Sequence, residues 1–565
     1  MKRLLTTTGM FLLLWLFMGA GHAGLPAPSP TNSPGGRTLS YNTSALVKTS
    51  AASTGYVLVA WSELGMHCID GKDYSVFSVL PPYNVIHAQL FKKGEPPVAI
   101  TTGVTITYQA TADSKGSANS FSAGKTNFWT WLNALFHVTL PVETGLAGYK
   151  TQSTVPQSMT YNTAEGYWEG VGIPTVPYDD KGKFNPYPMA KLVASDSTGK
   201  QLATASIVLS VSDELSCGTC HASNTDPNAM PNTGWVNNPN PAKDMKLNIL
   251  KKHDDRWDIK PYLPQLQATG YNYKSTLMQT ATSGTPILCA ACHGDNALGL
   301  PGITPIASLS SDMHSLHGAQ ILISNGQSLD QNSLTSDLNS CYLCHPGPVT
   351  QCKRGAMNTQ LCSDCHGDLS ALSDPARDPW FIEPACQMCH NTSQRFTTTF
   401  DSTGQWRQTT DTTFATNKDV PVTGANLYRF SLGHGKVFCS ACHGSPHAEF
   451  PTLQPNDNVY PKALQKYSAK ITECAVCHTN SLTATPNGGP HGLHKLGQSW
   501  VNAHGNYVES RGYTACAYCH GSTFQGLALS ETKVQRVFQT ENGSKTFPVG
   551  HQFNCYDCHN GPNGG

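Results

Sequence analysis

Apolar and polar positions follow two different patterns along the chain. Between about residues 40 and 213, Val-, Ile- and Thr-rich runs are bounded by Gly and Pro, and "GYVLVAW", "VIHAQLF" and "GVTITYQA" each read as a strand. The stretch "AKLVASDSTGKQLATASIVLSVS" holds two alternating runs around Asp196 to Lys200, which predicts a hairpin. One segment breaks the β pattern. "TNFWTWLNALF" sets Phe128, Trp131, Leu132, Leu135 and Phe136 at helical spacing, as a core-packing helix would. The last strand runs almost directly into "DELSCGTCH", so a rigid junction between the two halves of the chain is expected. Past Cys217 regular periodicity fades, and the chain reads as loop-rich and sparsely helical.

That second half is punctuated by Cys-x-x-Cys-His. The pattern occurs nine times, pairing Cys217/Cys220 with His221, Cys289/Cys292 with His293, Cys341/Cys344 with His345, and Cys362/Cys365 with His366. It continues with Cys386/Cys389 and His390, Cys439/Cys442 and His443, Cys474/Cys477 and His478, Cys516/Cys519 and His520, and Cys555/Cys558 and His559. At this Cys and His content, chance would produce on the order of 0.03 copies. Three chemistries use such residues. Zinc has no need of a His directly after the second Cys, and thiol–disulfide pairs normally occur once, in a βαβ setting. A c-type haem needs all three: one thioether for each vinyl group and the adjacent imidazole as proximal iron ligand. The expectation is nine covalent haem c groups, with those nine histidines as proximal ligands.

Composition agrees with that reading. Roughly 39 residues per motif leave little chain for an ordinary core, so porphyrin faces are expected to supply the buried apolar surface. Charged residues are 13% of the chain, against about 25% in average soluble proteins. Lys plus Arg balance Asp plus Glu at 37 each, which gives nucleic acid no attraction. Haem propionates would make the holoprotein acidic. The start, "MKRLLTTTGMFLLLWLFMGAGHAG", reads as a signal peptide cleaved after Ala23, and its apolar run is too short to span a bilayer. The predicted organisation is a signal peptide (1–23), a Pro/Ser/Gly linker (24–39), a mainly β, sandwich-like, haem-free domain (40–213) and a nonahaem region (214–565). The protein is expected to be exported, in the periplasm or at the outer surface, with no membrane span.

Nine further histidines lie beyond residue 217, matching the number of motifs: His253, His314, His317, His434, His447, His491, His494, His504 and His551. These are the candidates for the second axial position, and bis-histidine ligation implies low potentials. Several lie too close to a motif to fold back onto it and are expected to reach a neighbouring haem. No spare histidine lies between His317 and His434, where three motifs fall. Distant ligands are expected for them, with His67, His87 and His137 of the β domain as weaker candidates against ordinary packing. Met313, Met357 and Met388 are lesser alternatives. Cys68 and Cys352 are left over, and a disulfide between them is one possibility in an oxidising compartment.

Three features together, the motif array, "CHPGPVTQCKRGAM" after the third motif and "VSDELSCGTCH" at the end of the β domain, resemble the large multihaem c-type cytochromes of dissimilatory metal- and sulfur-reducing bacteria. Within that resemblance "NILKKHDD" looks like a helix supplying a distal histidine, His253. Some such cytochromes polymerise into outer-surface filaments. The resemblance implies an electron carrier in anaerobic respiration or extracellular electron transfer. Its partners would be redox proteins, extracellular acceptors or further copies of itself. The alternative is a reductase of a nitrogen or sulfur oxyanion, which would need one haem with an open distal side.

Overall fold

The computed structural model describes residues 55–318, 321, 326–389, 428–479, 497–513, 516–521, 523–526, 530–532 and 535–562. The signal peptide, the linker, His390, His491, His494 and the side chains of Cys389 and Cys519 lie outside the described residues.

The predicted strands form where the apolar runs stand. In chain order they are β1 (Tyr56–Ser62), β2 (His67–Cys68), β3 (Phe77–Ser78), β4 (Asn84–Lys92), β5 (Val98–Ile100) and β6 (Val104–Thr111). After helix α1 (Phe128–Phe136) come β7 (Gln157–Ser158), β8 (Thr160–Asn162), β9 (Tyr167–Ile173), β10 (Met189–Asp196), β11 (Gln201–Val208) and β12 (Val211–Ser212). One antiparallel sheet has the order β1-β4-β9-β8, with β5 also on β4; the other has the order β11-β10-β6-β7. Ile86, Ala88 and Leu90 of the first share a core with Ile106, Tyr108, Leu192 and Ile207 of the second. The β10–β11 hairpin turns at Asp196, whose carboxylate accepts from the Thr198 and Lys200 amides. The fold is two-part: β-sheets at the amino-terminal side, then a sparsely helical, cysteine-rich region.

β1 and β4 explain their own sequences. A strand with one wet face alternates, whereas these two are buried along nearly their whole length, as continuous apolar runs require. Their second face is covered by the cysteine-rich half. Trp61 stacks on Phe438 at 5.2 Å, and Tyr460 Oη accepts from the Ala60 amide while donating to Ala441 O. The β core thus takes in Phe438, Ala441, Tyr460 and Val476. A second core joins α1, through Phe128, Leu132 and Leu135, to α3 (Pro241–Asp254), α4 (Leu263–Ala268) and α5 (Leu277–Thr282). Trp131 and Phe136 of α1 are only partly buried there. Of two short parallel pairings, β12 on β2 closes the β half and β13 (Ile287–Leu288) on β3 joins the two halves.

Two polar joints lock this seam. Glu214, from "VSDELSCGTCH", accepts from the amides of Val349 and Thr350 and from Thr350 Oγ1, and Ser212 Oγ meets that hydroxyl at 2.6 Å. The two sequence features read separately are therefore one contact. Arg354, from "CHPGPVTQCKRGAM", holds Asp457 through Nε (2.6 Å) and Nη2 (3.0 Å), and donates from Nη1 to Gly65 O (2.6 Å). Its side chain is 1% exposed. Gly65 is needed there because a Cβ would collide with the Pro446 carbonyl.

Arg354→Leu should destabilise the protein by about 3–5 kcal/mol, because it strands the buried Asp457 carboxylate; denaturant unfolding followed by circular dichroism measures this. His87 gives a second prediction. It is packed against Trp61 and Tyr167 in the β core, and burial, aided by Arg429, pushes its pKa down to about 3. Above pH 6.5 folded and unfolded states both hold it neutral; below, only the unfolded state takes the proton. Its contribution therefore falls as pH drops from 6.5 toward about 3. Between pH 7 and pH 5, His87→Leu should lose about 2 kcal/mol less stability than the parent, read from the same unfolding curves.

Candidate cofactor sites

Each described Cys-x-x-Cys-His closes on itself as one tight helical turn. The histidine amide bonds the first cysteine's carbonyl, at 2.9 Å for His221 to Cys217 and 2.8 Å for His345 to Cys341 and for His478 to Cys474. Residues at i, i+3 and i+4 then share a face, so both sulfurs and the imidazole point the same way. A hydrogen bond with Cys362 lowers Cys341 to about 7, but burial raises most of the thiols, to about 12 for Cys289, Cys344, Cys439 and Cys442 and to about 11 for Cys292 and Cys477. A thiol-exchange centre needs the opposite shift. The zinc alternative fares little better. Asp337, Cys341 and Cys362 bring three donor atoms within 4.8 Å of one another, but the cysteines come from two different motifs and the fourth ligand of a tetrahedral structural site is missing among the described residues.

The remaining histidines are placed by a few elements. α3 starts on Asn240, whose side chain accepts from the Ala242 and Lys243 amides, and carries "NILKKHD" into its last turns, with His253 near the end. Lys246, buried in the same helix, donates to Asp73 O and Phe77 O and fixes α3 to the β domain. His253 lies close enough to His293 to feel its charge. α6 (Leu309–Gly318) carries two candidates three residues apart on one side. His317 faces His221 with ring centroids 6.4 Å apart, and His314 faces His345 at 6.3 Å.

Two more pairs recur at the same spacing, His366 with His447 (5.9 Å) and His434 with His478 (6.0 Å), while His504 and His559 stand closer, with centroids 5.5 Å apart and their Nε2 atoms 3.3 Å apart. Two metal–nitrogen bonds of about 2 Å, plus about 1 Å from each nitrogen to its ring centre, put two axial imidazoles roughly 6 Å apart. Every pair joins one motif histidine to one spare histidine. His434 and His447, which flank the 439–443 motif, both face other motifs, as expected for near neighbours. The 341 and 362 motifs meet His314 and His447, neither of which belongs to the β domain.

Protonation fits ligation too. Burial holds His221, His253 and His314 down to about 4 and His447 to about 3, so all four are neutral and able to bind a metal. Nδ1 of His314 bonds Ser310 O, that of His317 Met313 O, that of His504 Val501 O, and that of His520 Phe553 O. Acids take the same place at His293 (Asp312, 3.0 Å), His366 (Glu383, 3.2 Å) and His478 (Glu95, 3.0 Å). Such bonds fix the tautomer and leave Nε2 for the metal. These acids were not legible in sequence, because no local spacing links them to their histidines. His551 differs: its Nε2 meets Asp557 at 2.8 Å, which leaves only Nδ1.

His221, His293, His345 and His366 belong to motifs that border one cavity of about 1530 Å³, also lined by His253, His314, His317 and His447. That exceeds the roughly 300–1,000 Å³ of a single-ligand pocket. Cys68, Cys352, Met313 and Met357 line it as well. Cys68 and Cys352 are near neighbours but stand as separate thiols, and Met388 Sδ accepts from the Ala385 amide. His67 also borders this cavity, with its Nε2 unpartnered, and packs edge-on against Tyr83. His137 packs on Tyr271 at 4.3 Å. Among the described residues, neither these two nor His87 faces a motif imidazole.

Residues 354–563 match the family described as outer membrane cytochrome MtrC/MtrF-like, domains II/IV. The MtrC/MtrF-like stretch takes in six of the nine motifs, from Cys362 to His559, and leaves those at 217, 289 and 341 outside it. No curated protein and no solved structure matches the chain. The MtrC/MtrF-like similarity and the cysteine pairs together imply haem c as the cofactor class. The thiol pairs, the neutral imidazoles and their spacing all fit that group.

Proposed function

We propose that this chain is an outer-surface electron carrier holding nine haem c groups, one at each Cys-x-x-Cys-His, and passing electrons to acceptors outside the cell. Haem supplies a one-electron Fe(III)/Fe(II) couple. The rest is the work of the chain. The nine cysteine pairs anchor the rings and the motif histidines serve as proximal ligands. His317, His253, His314, His447, His434 and His504 act as distal ligands for the motifs at 217, 289, 341, 362, 474 and 555 respectively. The match to outer membrane cytochromes supports the location and the use. No helix among the described residues is long and apolar enough to cross a membrane.

The observation that carries this reading is the set of four imidazole pairs at the spacing of two axial ligands, each with one member from a motif. With both imidazoles bound, these sites would offer no open position for an oxyanion, so a reductase would need its open haem at one of the other motifs. Adjacency supports a relay as well. α6 supplies a histidine to each of two motifs, and the first cysteines of the motifs at 341 and 362 lie side by side.

Protein matured in a host that attaches c-type haem should carry nine covalent haems by mass and be wholly low-spin when oxidised; fewer haems, or a high-spin component, would contradict the proposal. His314→Ala and His317→Ala should each convert one haem to high-spin without changing the haem count. The double variant should show two such haems by electron paramagnetic resonance.

A further inference from the structure

Just beyond β4 the β domain touches the motif at 474–478. Lys93 Nζ donates to Ala475 O at 3.2 Å, the Thr479 amide reaches Gly94 O, and Gly94 pairs with His478 in a one-residue parallel bridge. This seats the next residue, Glu95, on the imidazole: its carboxylate oxygens lie 3.0 and 3.2 Å from His478 Nδ1. On the other side His434 faces the same ring at 6.0 Å, with an interplanar angle of 22°. Nδ1 is thus engaged, which leaves Nε2 as the nitrogen available to a metal.

Two other motif histidines have an acid at the same atom, but each in a different setting. Glu383 at His366 also holds the Arg377 guanidinium at 2.8 Å, which offsets its charge. His293 divides its Nδ1 between Asp312 and Ala307 O. Among the described residues no cation pairs with Glu95. A full anionic acceptor at Nδ1 makes the opposite nitrogen a stronger donor, and a stronger donor stabilises the ferric state. Glu95 is 35% exposed, so through-space charge is partly screened and the hydrogen bond is the main lever.

We propose that Glu95 is a positioning residue of the β domain that lowers the reduction potential of the haem at Cys474–His478. The inference rests on reading that motif as a haem site. It gives the haem-free domain a part in setting the redox properties of the relay as well as in holding it together.

The test is a spectroelectrochemical titration of the full-length holoprotein, with haem content by mass and spin state read alongside. Glu95→Gln keeps an oxygen acceptor but removes the charge. It should move one component of the titration to higher potential while all haems stay low-spin and the haem count is unchanged. Lys93→Met removes the neighbouring docking contact and leaves the carboxylate, and should not raise that component. A Glu95→Gln titration that superimposes on the parent's, or an equal rise in both variants, would overturn the inference. A parent protein whose 474–478 peptide carries no haem by mass would instead strike down the reading of the site itself.

Discussion

Two imidazoles set opposite one another across about 6 Å are the constraint around which the rest of this chain is arranged. Neither ring can set that distance alone. One is carried by a tight Cys-x-x-Cys-His turn, and the other arrives from a separate helix or loop. In each pair at least one ring is held at Nδ1 by a carbonyl or carboxylate behind it. The region has little conventional core of its own, so the positions of these rings depend on what anchors the segments carrying them.

Part of that anchoring comes from the β domain. Its strands β1 and β4 are covered on both faces, once by the opposite sheet and once by the cysteine-rich half. Arg354 and Glu214 then fasten loops that carry no periodic apolar pattern. The buried Arg354–Asp457 pair acts in this setting mainly as a register device: its guanidinium meets Asp457 and Gly65 O together only when the halves are correctly seated. The haem-free domain is in this sense a jig for the cofactor region. The Lys93–Glu95 segment carries the same logic up to one of the motifs.

Local chemistry was legible in the sequence and long-range pairing was not. The strands around Val57, Ile86 and Ile106, the turn at Asp196 and the helix at Phe128 all announce themselves within a dozen residues, as do the cysteine turns. The identity of each facing histidine depends on the fold. Proximity in sequence would hand His447 to the motif just before it, yet it lies across from His366. The motif at 341 lay in a stretch with no spare histidine after His317, yet it meets His314 from just upstream. Glu95 and His478 are 383 residues apart, and nothing in either neighbourhood points to the other.

The ten residues of α6 have a consequence for how this molecule tolerates change. Because His314 and His317 look toward two different motifs from one rigid rod, the rod has a single permitted rotation. Lengthening the loop before it is absorbed by slack, but inserting one residue between the two histidines would turn one ring by roughly 100° relative to the other and spoil one of the two alignments. Length variation is therefore admissible on either side of this helix and forbidden between its two histidines.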